Sequence, residues 1–320
     1  MRPGRRSSRP RSKQRPAHQD ASPGFVVAVD RGRYTCSVAG QTVVAITARE
    51  LGRAAVVVGD DVALVGDRSG SGGSLARIVR VEKRRTVLRR TADDDDPIER
   101  IIVANADQML IVTALADPPP RYGLVDRCLV AAYAGGLAPI LCLTKSDLAD
   151  PAPVIEAYRD LDLPVITNRY DEPLDDVIAR LFGHETVFVG HSGVGKSTMV
   201  NALVPDADRA VGRVSAIGRG RHKSSSAVAL ALPEHAGWVI DTPGLRSFGL
   251  AHVAPGDLLA AFGDLAPGAE RCPRGCEHRG SRDECALDAW VAHAHASLAR
   301  LESYRRLLAA RTAATGPGER

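Results

Sequence analysis

Gly190-His191-Ser192-Gly193-Val194-Gly195-Lys196-Ser197, followed by Thr198, fits the pattern G-x-x-x-x-G-K-[ST] and comes directly after the apolar run Thr186-Val187-Phe188-Val189. A strand, a glycine-rich turn and a helical stretch in that order turn backbone N–H groups around a phosphate chain, with the positive end of the helix dipole aimed at it. Lys196 is then placed to reach the β and γ phosphates, and Ser197 to ligate Mg²⁺. A chance glycine turn beside a lysine would leave the strand before it and the helix after it unaccounted for.

Working outward, Asp241-Thr242-Pro243-Gly244 follows the apolar Trp238-Val239-Ile240. Asp241 is therefore expected at the C-terminal end of a strand, where ligands of open α/β sheets gather, holding Mg²⁺ through water. The Gly244 N–H is then placed to sense the γ-phosphate. Together the two motifs indicate a nucleoside triphosphatase of the GTPase type. Thr144-Lys145-Ser146-Asp147 ends another apolar run, 139–143, and resembles the N/T-K-x-D guanine-specificity motif. The Asp147 carboxylate can accept both N1–H and the exocyclic amine of guanine, and rejection of a base that leaves buried polar groups unpaired reaches roughly four or five powers of ten. Lys145 would lay its aliphatic stem along the base. In Ras-like GTPases this motif follows the phosphate loop, whereas here it precedes both other motifs, so the order is circularly permuted. The same sheet can form if the original termini lay close together.

Around these motifs, apolar strands over 109–114, 139–143, 164–167, 186–189 and 238–240 alternate with helical stretches over 124–134, 154–161, 174–182 and 196–203. That alternation predicts a mostly parallel sheet flanked by helices. Residues 25 to about 90 read instead as short alternating segments, among them 25–29, 34–38, 44–46, 56–58 and 62–64, punctuated by glycines, which suits a small antiparallel barrel. Asp93 to Asp96 with Pro97 reads as an acidic linker. Past Gly249 the strands stop, and Leu287, Trp290, Val291, Ala294, Leu298 and Leu301 recur at helical spacing. His293 and His295 fall in that predicted helix on different faces, as helix residues rather than ligands. The expected organisation is a disordered basic arm over 1–23, a barrel over 24–92, the nucleotide domain over 97–250, a helical metal-binding unit over 251–312 and a disordered tail over 313–320.

Cys272-x3-Cys276-x-His278-x6-Cys285 places three thiols and one imidazole in a short stretch whose Pro273, Gly275 and Gly280 favour a loop. This is the ligand set of a closed, structural, tetrahedral zinc site, with free thiols or a redox pair as the alternative. Cys36, Cys128 and Cys142 are isolated in apolar runs, so no disulfide framework is expected, and the compartment reads as reducing and cytoplasmic. With 320 residues, 44% apolar and 25% charged, the chain is large enough for several compact units, and no apolar run approaches a membrane span. Net charge is only +4, concentrated in the arm, in 77–90 and in 213–223. These patches suggest a polyanionic partner, solvated faces being the alternative for any one of them. No heptad pattern calls for self-association, and a monomer is expected.

With a barrel-like start, a permuted GTPase and a C-terminal Cys/His unit, the chain resembles the ribosome-small-subunit-dependent GTPase A family over about residues 24–310. The resemblance rests on T-K-S-D at Thr144, G-H-S-G-V-G-K-S-T at Gly190, G-R-G-R-H-K-S-S-S at Gly218, D-T-P-G-L-R at Asp241 and the Cys/His cluster. It implies that the barrel is an OB-fold contacting the ribosome, and that the protein hydrolyses GTP to GDP while assisting late maturation of the small (30S) subunit, with rRNA as a partner. Two departures stand out. Thr144 replaces the usual Asn, and the switch segment reads Lys223-Ser224-Ser225-Ser226, which leaves Ser224 and Ser225 as alternative ligands. Leu245, where Ras-like proteins carry the glutamine that positions water, cannot do so. Slow intrinsic turnover is therefore expected, with His222 brought to the water by the ribosome; a solvated or rRNA-contacting His222 is the alternative. A different function, an RNA-binding module that uses GTP only as a stabilising ligand, also fits these motifs. A metabolic kinase fits them less well, since no acceptor site is evident.

Overall fold

The structure is a computed structural model that describes residues 18, 20–51, 56–71, 73–91, 99–205, 227–242, 250, 253, 255–259, 262–280 and 285–312. Five strands form the N-terminal unit: β1 (Ser22–Asp30), β2 (Arg33–Val38), β3 (Gln41–Thr47), β4 (Asp61–Gly66) and β5 (Ala76–Val81). Their order is β1-β2-β3-β5-β4 with β1 also pairing β4, a closed five-stranded OB-type barrel. Its inward residues Val26, Cys36, Val43, Ala45, Val62, Leu64 and Ile78 form a core of their own.

Two sequence expectations about this region are corrected. Residues 56–58 are not a barrel strand. Val56 and Val58 are buried, but a turn closed by Val57 N–H donating to Asp60 Oδ2 (2.8 Å) ends the segment, and Val58 makes only an isolated bridge to Val103. The fifth strand is β5, which pairs β3 and β4 and whose alternation is masked by its arginines. The second correction concerns 77–90, which is not a free basic patch throughout. The Arg84 guanidinium forks onto the Asp60 carboxylate at 2.6 and 2.8 Å, and Asp60 is fully buried.

A two-stranded ribbon, β6 (Val87–Thr91) and β7 (Glu99–Ala104), pairs antiparallel on either side of the acidic run 93–96, which lies outside the described residues. Beyond it come β8 (Gln108–Ala114), α1 (Tyr122–Gly135), β9 (Ala138–Thr144), α2 (Ala152–Tyr158), β10 (Val165–Asn168), α3 (Asp175–Leu181), β11 (His184–Val189), α4 (Lys196–Leu203), β12 (Val228–Ala231) and β13 (Gly237–Asp241). The sheet order is β10-β9-β8-β11-β13-β12, parallel except for β12. Every residue of β8 is buried, as a central parallel strand covered on both faces requires. The edge strand β12 touches β1 through Ala28 and Val228, which joins barrel and nucleotide sheet into one continuous sheet.

Among the described residues, four helices follow: α5 (Pro255–Leu259), α6 (Ala266–Ala269), α7 (Ala286–Ala292) and α8 (Leu298–Thr312). They do not enclose a core of their own. Leu258, Phe262, Leu265, Leu287, Leu301, Tyr304 and Leu307 join Val125, Cys128 and Leu129 of α1 in one cluster on one face of the sheet, while α3 and α4 cover the other face. Polar contacts reinforce the joint. Arg306 lies 3.5 Å from Asp126, and Arg127 Nη1 donates to the Ala310 carbonyl (3.1 Å). His293 and His295 are not inside a helix as expected: α7 ends at Ala292, and Ala294 has φ +58°, a left-handed turn that breaks the apparent periodicity.

At the edge of the sheet opposite the strand C-termini, Arg85 Nη2 donates to the Asn105 carbonyl (3.0 Å) and to Glu185 (3.2 Å). Burial pushes the Glu185 carboxyl up to about 7; Arg85 opposes the shift, and Asp107 and Asp61 add to it. His184 Nδ1 lies 3.7 Å from Asp107.

Candidate nucleotide site and metal centre

The C-terminal ends of β8, β9, β10, β11 and β13 point to one side of the sheet, the side where parallel α/β sheets bind ligands. A 930 Å³ cavity opens there, within the range of small-molecule and cofactor sites. Thr144, Lys145, Asp147, Gly190, His191, Ser192, Gly193, Gly195, Lys196, Ser197, Thr198 and Asp241 all line it, so three motifs spread over almost a hundred residues converge. Val194 is buried and Ser146 does not line the cavity; its N–H donates to the Asn168 carbonyl at 3.3 Å. His222 and Gly244, with Ser224 and Ser225, lie outside the described residues.

The loop between β11 and α4 takes its shape from glycine. A Cβ on Gly190 would collide with the Val112 carbonyl oxygen of neighbouring β8, and Gly195 caps α4 at φ +91°, a conformation L side chains rarely adopt. The first turn of α4 then presents Lys196, Ser197 and Thr198 to the cavity. Lys196 Nζ donates to the Asp241 carboxylate, so the cation of the phosphate loop and the carboxylate ending β13 address the same point. Thr242 Oγ1 donates to the Phe188 carbonyl (2.7 Å) and ties the end of β13 to β11.

The Thr144 hydroxyl donates to the Val194 carbonyl at 2.7 Å, with the Thr113 carbonyl at 3.3 Å. A residue of the T-K-S-D segment thereby holds the backbone of the glycine-rich loop. Lys145 has φ +58°, and its ammonium donates to the Asp117 carbonyl, which fixes the side chain along the cavity. Sequence reasoning missed Leu148, Asn168, Arg169, Tyr170 and Leu174, which complete the wall around Asp147. They carry no motif; their position just after the ends of two parallel strands was the only available signal.

In the C-terminal unit, the ligand atoms of Cys272, Cys276, His278 and Cys285 lie within 4.8 Å of one another. His278 Nδ1 is 3.5, 3.6 and 3.8 Å from the three sulfurs, and Cys272 and Cys285 Sγ are 4.0 Å apart. A tetrahedral ion with metal–sulfur bonds near 2.3 Å has edges of about 3.5–3.8 Å, so the four groups fit one. The set can hold a metal. Arg305 braces it from α8, donating through Nε to the His278 carbonyl (3.1 Å) and through both Nη atoms to Asp288 (2.8 and 2.9 Å).

A P-loop sheet whose base-reading strand precedes its phosphate loop defines the class of circularly permuted GTPases. Solved structures share this fold, and two of them are similar over nearly the whole chain. They are YloQ, described as a circularly permuted GTPase (TM-score 0.65, 22% identity, covering 93% of this chain and 98% of that one), and YjeQ from Thermotoga maritima (0.65, 22%, 91% and 99%). Residues 81–251 match the family described as RsgA GTPase. The chain is 37% identical over 265 residues to a small ribosomal subunit biogenesis GTPase RsgA of Pseudomonas syringae pv. syringae, covering 80% of this chain and 75% of that protein. It is 39% identical over 242 residues to one of Alcanivorax borkumensis (72% and 66%). The chain belongs to the RsgA GTPase family, and it is a GTP hydrolase.

Proposed function

We propose that this chain is a maturation factor of the small ribosomal subunit that binds the subunit and its rRNA and hydrolyses GTP to GDP and phosphate to control its own release. The observation that carries the reading is the similarity, over four fifths of the chain, to proteins named for small-subunit biogenesis. It acts in the cytoplasm as a monomer; none of the described helices is long and apolar enough to cross a membrane.

Within this reading the backbone of residues 190–198 cradles the phosphates, Lys196 neutralises charge developing on the β and γ oxygens, and Asp147 reads the guanine edge. Ser197 and Asp241, which line the same wall of the cavity, would hold Mg²⁺, which supplies electrostatic stabilisation of the transferred phosphoryl group. Gly244 senses the γ-phosphate and His222 orients the attacking water once the subunit orders the switch. The Cys272, Cys276, His278 and Cys285 cluster holds one structural zinc, the metal its donor set and spacing suit best. Leu250 lies in the cluster shared by α1 and α8, so in sequence the segment after Asp241 leads directly into the C-terminal unit.

Steady-state GTP and ATP hydrolysis with and without small subunits tests the proposal. Slow GTP-specific turnover that rises strongly with subunits, and a His222→Ala variant that loses the rise while keeping basal turnover, are the expected results. Absence of both stimulation and nucleotide-dependent subunit binding would leave GTP as a stabilising ligand of an RNA-binding module.

A further inference from the structure

We infer that Tyr170 stacks on the purine base of the bound nucleotide, supplying affinity that is blind to the exocyclic groups Asp147 reads. This rests on the assignment of the cavity to a guanine nucleotide. Tyr170 follows β10 and lines the cavity beside Asp147, yet is 84% exposed; Leu148, on the loop after β9, is 56% exposed in the same wall. Large side chains left open on the wall of a cavity mark where a flat, largely apolar ligand would bury area.

The neighbours favour stacking over other roles for the ring. The two loops are tied together by the Ser146 N–H to the Asn168 carbonyl, so Tyr170 is carried on the same support as Lys145 and Asp147. Arg169 is turned to Asp171 (3.1 and 3.2 Å) and Glu172 (3.2 Å), which holds the loop's cation on its own acids. The Lys145 ammonium is anchored at the Asp117 carbonyl, leaving its methylene stem along the wall. A base entering between that stem and the Tyr170 ring presents its Watson–Crick edge to Asp147. Aromatic stacking tolerates any base because every base has a π-face. Affinity and identity are then read by different residues.

Titration calorimetry of the full chain with GDP, IDP and XDP separates the two. Tyr170→Ala should raise Kd for GDP and IDP by a common factor on the order of ten, with Tyr170→Phe near the parent and Phe182→Ala, exposed but outside the cavity, unchanged. Asp147→Asn should weaken GDP and favour XDP, because an amide can donate to the xanthine 2-oxygen. Tyr170→Ser provides a second truncation, and unchanged melting of both nucleotide-free truncations shows that the fold is intact. Parent-like GDP binding by both truncations, with Asp147→Asn behaving as expected, overturns the stacking alone. Retained guanine preference in Asp147→Asn overturns the base-site assignment and the stacking with it.

Discussion

Thr144 shows how much one hydroxyl decides. From the sequence it reads as a loss, an amide replaced by a smaller group. In the fold its Oγ1 donates to the Val194 carbonyl within the glycine-rich loop, so the end of β9 and that loop share a hydrogen bond. Valine would keep the shape of the side chain and leave that carbonyl without its donor, at a cost of about 1–3 kcal/mol. Thr144→Val should therefore lower the melting temperature and raise the GDP Kd severalfold, while Thr144→Ser retains both. Parent-like calorimetry of the valine variant would show that the bond contributes nothing. The motif letters locate such a residue, but its partner is 50 positions away and could not be read from them.

Elements carry the next level. Helix α8 starts within the helical spacing that the sequence shows up to Leu301, and it buries Leu301, Tyr304 and Leu307. Its polar face has a second task that the periodicity does not show. Arg305 bridges the His278 carbonyl and the Asp288 carboxylate, bracing the Cys/His loop against α7. Partners that orient metal ligands typically account for 10–100-fold in metal affinity. Arg305→Ala should therefore lose its metal to a chromophoric chelator at a concentration at least tenfold lower than the parent does. Equal retention would make the arginine a surface ornament of the helix. The four residues of the cluster were legible because their spacing is local. The brace was not, because it depends on how two helices meet.

For the whole molecule, the joint between barrel and nucleotide sheet gathers Arg85, Glu185, Asp107 and His184, with Asp61 close by. Glu185 titrates near 7 in the fold against an ordinary value of 4.5. Between those values the folded state binds more protons than the unfolded state, so this group lowers stability progressively as pH rises from about 4.5 through 7, and the full penalty stands above 7. Glu185→Gln removes the ionisation. Its melting temperature should exceed the parent's by a few degrees at pH 8 and match it at pH 4.5. An equal shift at both pH values would place the effect in packing rather than charge.

The primary structure by itself determined the chemistry of this protein and most of its central fold. Phosphate loops, guanine readers and metal knuckles are contiguous motifs, and a strand buried on both faces must be apolar throughout, so each is written in consecutive residues. The tertiary structure alone decided how the pieces meet. It showed that β5, not residues 56–58, is a barrel strand, and that β12 hands the nucleotide sheet on to β1. It also showed that the C-terminal helices share a core with α1 instead of forming their own, and that Leu148 and Tyr170 complete the cavity wall. Each of these depends on contacts between residues far apart in the chain, where the deciding quantity is shape and burial between surfaces rather than the type of any one residue.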